Sequence, residues 1–195
     1  MCIRDRNPEG FLWKNDSGAR DLEQLPEYVE VAFGSVPDEI KVVESGLQFA
    51  APLREGQKTG WFYDQTANRR RLAHYLASGA RVLDVCSYAG AWAITALKNG
   101  AAAALCVDSS ELALGFAQRN GQANEVELAT LRADAFDAMK QLREAGERFD
   151  VVILDPPAFI KRKKDIPQGI AAYRKLNQLA LNLIEACLLY TSRCV

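Results

Sequence analysis

The sequence predicts an α/β protein built on a parallel sheet with helices on both faces, preceded by a small antiparallel β module. Three observations carry this reading. From residue 64 onward, short and nearly all-apolar runs alternate with helical patterns, as strands buried on both faces do. Four aspartates, Asp84, Asp108, Asp134 and Asp155, stand at or just past the ends of those runs. Ahead of them, residues 28–53 alternate apolar and polar side chains with the period of a half-exposed strand.

Residues 7–27 read as a polar entry segment. The stretches YVEVAF, EIKVVE and GLQFAAPL then form three strand patterns, broken at Gly34, at Pro37-Asp38 and at Ser45-Gly46. The alternation of Val29, Val31 and Phe33 and of Ile40 and Val42 predicts one antiparallel sheet with a wet face, ending near Gly60. Asp64–Ala77 has helical spacing and stops at Ser78-Gly79. Arg81–Cys86 is the first buried strand, Gly90–Lys98 a helix, and Ala103–Asp108 the second strand. Ser110–Asn120 is a helix, Leu128–Arg132 the third strand, and Phe136–Ala145 a helix stopped by Gly146. Phe149–Asp155 is the fourth strand, entering Pro156-Pro157, and Gly169–Ala186 is the last helix.

Composition narrows the function classes. Of 195 residues, 49% are hydrophobic and 25% charged, the balance of an ordinary soluble domain. No apolar run approaches the ~18 residues of a membrane span, and no secretory signal opens the chain, so a cytoplasmic location is expected. The one histidine, His74, excludes a multi-histidine metal site, and the five cysteines (2, 86, 106, 187, 194) form no C-x-x-C pair; no metal is expected. Met1–Asp5 can be encoded by a string that lies within the reverse complement of one encoding Cys187–Ser192, and both resemble a translated sequencing adaptor. Residues 1–6 and 187–195 are therefore read as adaptor scars, leaving 7–60 as the entry segment and β module and 61–186 as the main domain. Removing Arg4, Asp5, Arg6 and Arg193 takes the net charge from −1 to −3. A polyanion would then have to be met by local patches, of which there are two, Arg69–Arg71 and Lys161–Lys164.

The strand ends are where such sheets bind ligands. The turn after the first strand, DVCSYAG, has one glycine, a poor match to the three that bring a backbone against a pyrophosphate. S-adenosylmethionine carries no phosphate, and an acidic cradle suits its positive sulfur. Asp108, 18 residues past Gly90, is placed to take ribose hydroxyls; Asp134 can accept from the adenine amine and Asp84 can sit near the sulfonium or amino group. The competing structural reading is that such acids merely cap the following helices. Cys86 and Cys106 read as small core residues.

The segments EGQKTGWFYDQTANRRRLAHY (55–75), VLDVCSYAGAWAITALKNGA (82–101) and FDVVILDPPAFIKRKKD (149–165) resemble the bacterial class I S-adenosylmethionine-dependent methyltransferases that act on cytosine C5 of 23S ribosomal RNA. The resemblance covers nearly all of residues 7–186. It implies a Rossmann-like methyltransferase sheet, cut before its C-terminal strands. It implies a cofactor site of Asp84, Ser87, Tyr88, Gly90, Asp108, Ser109 and Asp134, with Asp155 and Lys58 as catalytic groups. Gln57, Thr59, Pro156, Pro157, Phe159 and Lys161 would meet the substrate, ribosomal RNA. Thr66 stands where the family has arginine, and Cys86 where it commonly has phenylalanine. The cysteine that would add to cytosine C6 is expected from a fifth strand beyond the chain. The fourth strand is then expected to be an open apolar edge. A guanine-directed RNA methyltransferase, a small-molecule methyltransferase, and a silent S-adenosylmethionine- or RNA-binding module stay open as alternatives.

Overall fold

The structure, a computed structural model, describes residues 8–16, 18, 20–55, 60–185 and 190–192. The chain divides into two compact units, residues 1–40 with 51–61 and residues 41–50 with 62–195.

In the first unit, β1 (Gly10–Asn15) pairs antiparallel with β2 (Tyr28–Gly34), with a register shift between Phe11 and Leu12. This strand corrects the reading of residues 7–27 as an entry segment. Phe11 and Trp13 meet edge to face at 4.7 Å, an aromatic contact that a polar segment would lack. The expected three-stranded sheet is also replaced, by two separate hairpins. After β2, Gly34 turns at φ 65° and Pro37 lacks an N–H to donate to a ladder, so the chain leaves β2 rather than doubling back on it. By contrast β3 (Glu39–Glu44) and β4 (Leu47–Pro52) form their own two-stranded sheet. Ser45 and Gly46 between them both have positive φ, the backbone of a tight two-residue hairpin loop.

The second unit holds a sheet in the order β7-β6-β5-β8-β9. Its strands are β5 (Arg81–Val85), β6 (Ala103–Asp108), β7 (Ala129–Arg132), β8 (Val151–Leu154) and β9 (Tyr190–Ser192), all parallel. The helices are α1 (Thr66–Leu72), α2 (Ala91–Lys98), α3 (Glu111–Ala123), α4 (Ala135–Glu144) and α5 (Ile166–Leu181). Each predicted element is found, most with ends shifted by a few residues; α1 is flanked by short 3-10 turns where one longer helix was expected. The strand β9 covers part of β8, through pairs from Val152↔Tyr190 to Leu154↔Ser192, so the fourth strand is not the open edge expected of it.

Alternation along the strands builds two cores. Leu83, Val85, Val107, Val152 and Leu154 face α4 and α5, with Met139, Leu176 and Leu183. Val82, Ala104, Cys106, Val151 and Ile153 face α1, α2 and α3, with Leu72, Ala93 and Ala117. Strand order reverses at β5, with β6 on one side and β8 on the other, which makes the ends of β5 and β8 the ligand-binding crevice of such a sheet. No helix among the described residues is long and apolar enough to cross a membrane.

Candidate functional site

The turn between β5 and α2 is held under backbone constraint. Cys86 and Tyr88 adopt φ of 64° and 50°, and Gly90 φ 76°, conformations that side chains with a Cβ rarely take. Hydrogen bonds fix the turn: Cys86 and Ser87 donate their N–H groups to the Val107 carbonyl at 2.8 and 3.1 Å, and Gly90 donates to Ser87 O at 2.9 Å. A Cβ on Gly90 would stand 2.9 Å from the Ala117 Cβ. The glycine is thus demanded twice, by its φ and by the close approach of α3.

Asp108 ends β6 beside this turn. One of its oxygens accepts from Tyr88 N and the other from Ser110 N, both at 2.9 Å. Each keeps lone-pair capacity, so the turn and the acid hold one another in place while the carboxylate still presents two acceptors. Ser109 beside it is exposed. The Phe62 ring stands edge-on to Tyr88 at 5.7 Å, and burial pushes the Tyr88 phenol up to about 12.

Asp84 is fully buried on the α2 face of β5. One oxygen accepts weakly from Ala93 N at 3.3 Å, while Oδ1 has no partner among the described residues. Burial, with the Asp155 and Asp108 charges adding to it, raises its pKa from 3.8 to about 8 against the opposing pull of Ala93 N–H and Arg69. A buried carboxyl oxygen left unpaired is costly, and a cationic ligand would satisfy it. Together, a single-glycine turn, a fixed carboxylate with spare acceptors and a buried orphan acid fit a ligand bearing hydroxyls and positive charge, without phosphate.

The remaining predicted residues divide. Asp134 is exposed and caps α4, Oδ1 accepting from Phe136 N at 2.8 Å and Asp137 N at 3.4 Å; here the capping role is realised, leaving its other oxygen uncommitted. Asp155 lies just past β8, its N–H donating to Val85 O at 3.4 Å, and so borders the β5–β8 crevice. Pro156 is half-buried, and Pro157 and Lys161 are exposed. Phe159 is packed against Tyr173 at 4.7 Å and Phe136 at 6.1 Å, and its N–H donates to the Tyr173 hydroxyl; the ring anchors the loop to α5. Gln57, Lys58 and Thr59 lie outside the described residues.

The basic patch at 69–71 needs correction. Arg69 is buried and pairs with Glu44, its Nε and Nη2 donating at 2.5 and 2.7 Å, and Nη2 also donates to Phe62 O at 2.9 Å. The inward face of α1 consumes this charge, so only Arg70 and Arg71 remain exposed. Thr66 donates to the same Glu44 at 2.6 Å. Cys106 is buried, its thiol pushed well up by desolvation and by the Asp84 charge, which leaves it a core residue.

Sequence reasoning missed Asn120. Its carboxamide accepts from Ala50 N at 2.7 Å and donates to Ala50 O at 2.9 Å and Ala89 O at 3.0 Å. It ties β4 and the β5–α2 turn to α3. Asn124, one helical turn on, does the same to both backbone groups of Gln48. The available signal was two asparagines four apart on the otherwise apolar face of α3. Among the described residues no His, Cys, Asp and Glu group is arranged to hold a metal.

A family described as S-adenosylmethionine-dependent methyltransferase matches residues 26–191. The chain is 36% identical over 189 residues to the Ribosomal RNA large subunit methyltransferase I of Aeromonas salmonicida, covering 94% of this chain and 48% of that protein. The chain therefore spans about half the length of such relatives. A solved structure, SMU.776, a methyltransferase complexed with SAH, superposes with TM-score 0.71 and 27% identity, covering 83% of this chain and 43% of that one. The aTrm5 complex with tRNALeu shares the fold, with TM-score 0.66 and 18% identity over 93% of this chain and 47% of that one.

Proposed function

The chain belongs to the S-adenosylmethionine-dependent methyltransferase family, and from that premise we propose that it is the cofactor-binding part of an enzyme methylating a base of ribosomal RNA, specifically cytosine C5 of 23S RNA, in the cytoplasm. The observation that carries the reading is the Asp108 carboxylate, fixed by Tyr88 and Ser110 N–H groups at the end of β6. It is supported by the 36% identity to a protein named for ribosomal RNA methylation.

On this reading Asp108 takes the ribose hydroxyls, the uncommitted oxygen of Asp134 accepts from the adenine amine, and Asp84 faces the positively charged end. Ser87, Tyr88, Gly90 and Ser109 shape the cradle between them. Bound there, S-adenosylmethionine supplies an electrophilic methyl group on a sulfonium sulfur. Cytosine C5 is a weak nucleophile, and a thiolate added at C6 pushes electron density onto it. The base must first be unstacked. On this reading Asp155 hydrogen-bonds the cytosine edge, Pro156, Pro157 and Phe159 form the loop beside it, and Lys161 meets a phosphate; Gln57, Lys58 and Thr59 are assigned to the substrate on the family resemblance alone. Neither Cys86, in the strained turn, nor Cys106, in the core, is assigned the C6 addition. No thiol among the described residues is assigned to that step, and this chain alone is proposed to bind the cofactor without turning over.

The test is methyl transfer from labelled S-adenosylmethionine to large-subunit ribosomal RNA, followed by nucleoside analysis. The parent protein should yield 5-methylcytidine and this chain none. A methylated guanine would replace the cytosine reading, and robust turnover by this chain would overturn the proposal that it only binds.

A further inference from the structure

A cavity of about 350 Å³ opens on the outer side of α1, lined by Val42, Val43, Glu44, Ser45, Tyr63, Thr66 and Arg70. Its walls are unusual for a soluble surface. Tyr63 is 66% exposed and Val43 76% exposed, and no core packing accounts for either. The acid that lines it is already neutralised: Glu44 accepts from Arg69 at 2.5 and 2.7 Å and from the Thr66 hydroxyl at 2.6 Å. Arg70, the next residue along α1 from Arg69, is exposed and pairs with no acid among the described residues. The uncompensated charge of the groove is therefore positive, and it lies beside a free aromatic face. Sequence-tolerant binding of single-stranded nucleic acid uses this combination, a ring for the base and a cation for the phosphate.

We propose that this groove is a subsite for one unstacked nucleotide of the RNA strand, its base against Tyr63 and Val43 and its phosphate on Arg70. The inference rests on the reading of the chain as part of an RNA methyltransferase and names where the strand is gripped outside the cofactor crevice. The groove is tied to that crevice through α1, because Arg69, which neutralises Glu44, also holds the Phe62 carbonyl, and the Phe62 ring abuts Tyr88. Ser45, in the β3–β4 hairpin loop, also lines the groove and is a short side chain with little rotamer freedom to lose.

The experiment is fluorescence anisotropy of a labelled 12-nucleotide single-stranded RNA with the full chain, alongside calorimetric binding of S-adenosylhomocysteine. Tyr63→Ala should weaken RNA binding about tenfold, Tyr63→Phe should restore it, and Arg70→Ala should reduce the salt slope by about 0.7, one phosphate contact on a single strand. Binding of S-adenosylhomocysteine should stay unchanged in all three, since none touches the crevice. If wild type binds S-adenosylhomocysteine while RNA binding is absent or indifferent to both positions, the subsite is wrong and the methyltransferase reading survives. Failure of wild type to bind S-adenosylhomocysteine would instead strike the cofactor reading. Competition by polyglutamate as effective as that by unlabelled RNA would show a general polyanion surface and overturn the nucleotide assignment. Should Tyr63→Ala lose the cooperative melt, Tyr63→Phe and Arg70→Ala decide by themselves: an unchanged salt slope in Arg70→Ala rejects the proposal.

Discussion

Two residues of the β5–α2 region carry more than packing. Asp84 retains its proton up to a pKa of about 8 in the folded protein, whereas in the unfolded chain it titrates near 3.8. Between those values the folded state binds the extra proton, so this group makes stability fall as pH rises from about 4 to about 8 and leaves it level beyond. Asp84→Asn removes that slope. Melting temperatures of the two proteins without cofactor should diverge in favour of the asparagine variant from pH 5 to pH 8, and a constant difference would show that Asp84 is ionised throughout. Gly90→Ala meets both a φ of 76° and the Ala117 Cβ. We expect a loss of about 1–3 kcal/mol in denaturant unfolding, with weakened S-adenosylhomocysteine binding because the turn moves. The strand-end positions of Asp84, Asp108 and Gly90 were legible in the sequence, whereas the orphan oxygen of Asp84 and the two N–H groups that fix Asp108 were not. Nor was Arg69, because three consecutive arginines read alike until the helix phase decides which one is buried.

At the scale of elements, α1 and α3 fasten the β3–β4 hairpin to the sheet by polar groups. The Glu44–Arg69 pair is buried at both ends. Removing one partner strands a buried charge, so Glu44→Ala and Arg69→Ala should each cost about 3–5 kcal/mol. Replacing both with apolar residues of similar volume should cost much less, and a double-mutant cycle that gives simple additivity would contradict this coupling. The parallel strands were legible because strands buried on both faces are nearly all apolar. The hairpins were less so. Period-2 alternation shows that a segment is a strand without showing its partner, and β1 has too short an alternation in GFLWKN to stand apart from the polar text around it. The Asn120 and Asn124 clamps were illegible for a related reason: a carboxamide that imitates a neighbouring strand looks like any polar residue on a helix.

For the whole molecule, the crevice at the β5–β8 ends is the point from which a single ligand can brace α2, α3 and the β8 loop together. A ligand at about a hundred times its Kd stabilises by about 2.7 kcal/mol. For a chain of this length that is a rise of roughly 5–10 °C in Tm, to be read by thermal unfolding with and without S-adenosylhomocysteine; no shift at saturating ligand would mean that the crevice does not recognise it. The measurement that bears most directly on the central claim is a crystal structure of the chain with S-adenosylhomocysteine bound. Both ribose hydroxyls should lie within hydrogen-bonding distance of the Asp108 carboxylate, beside the turn that ends at Gly90. A ligand seated elsewhere, or a ribose that leaves Asp108 untouched, would contradict that claim.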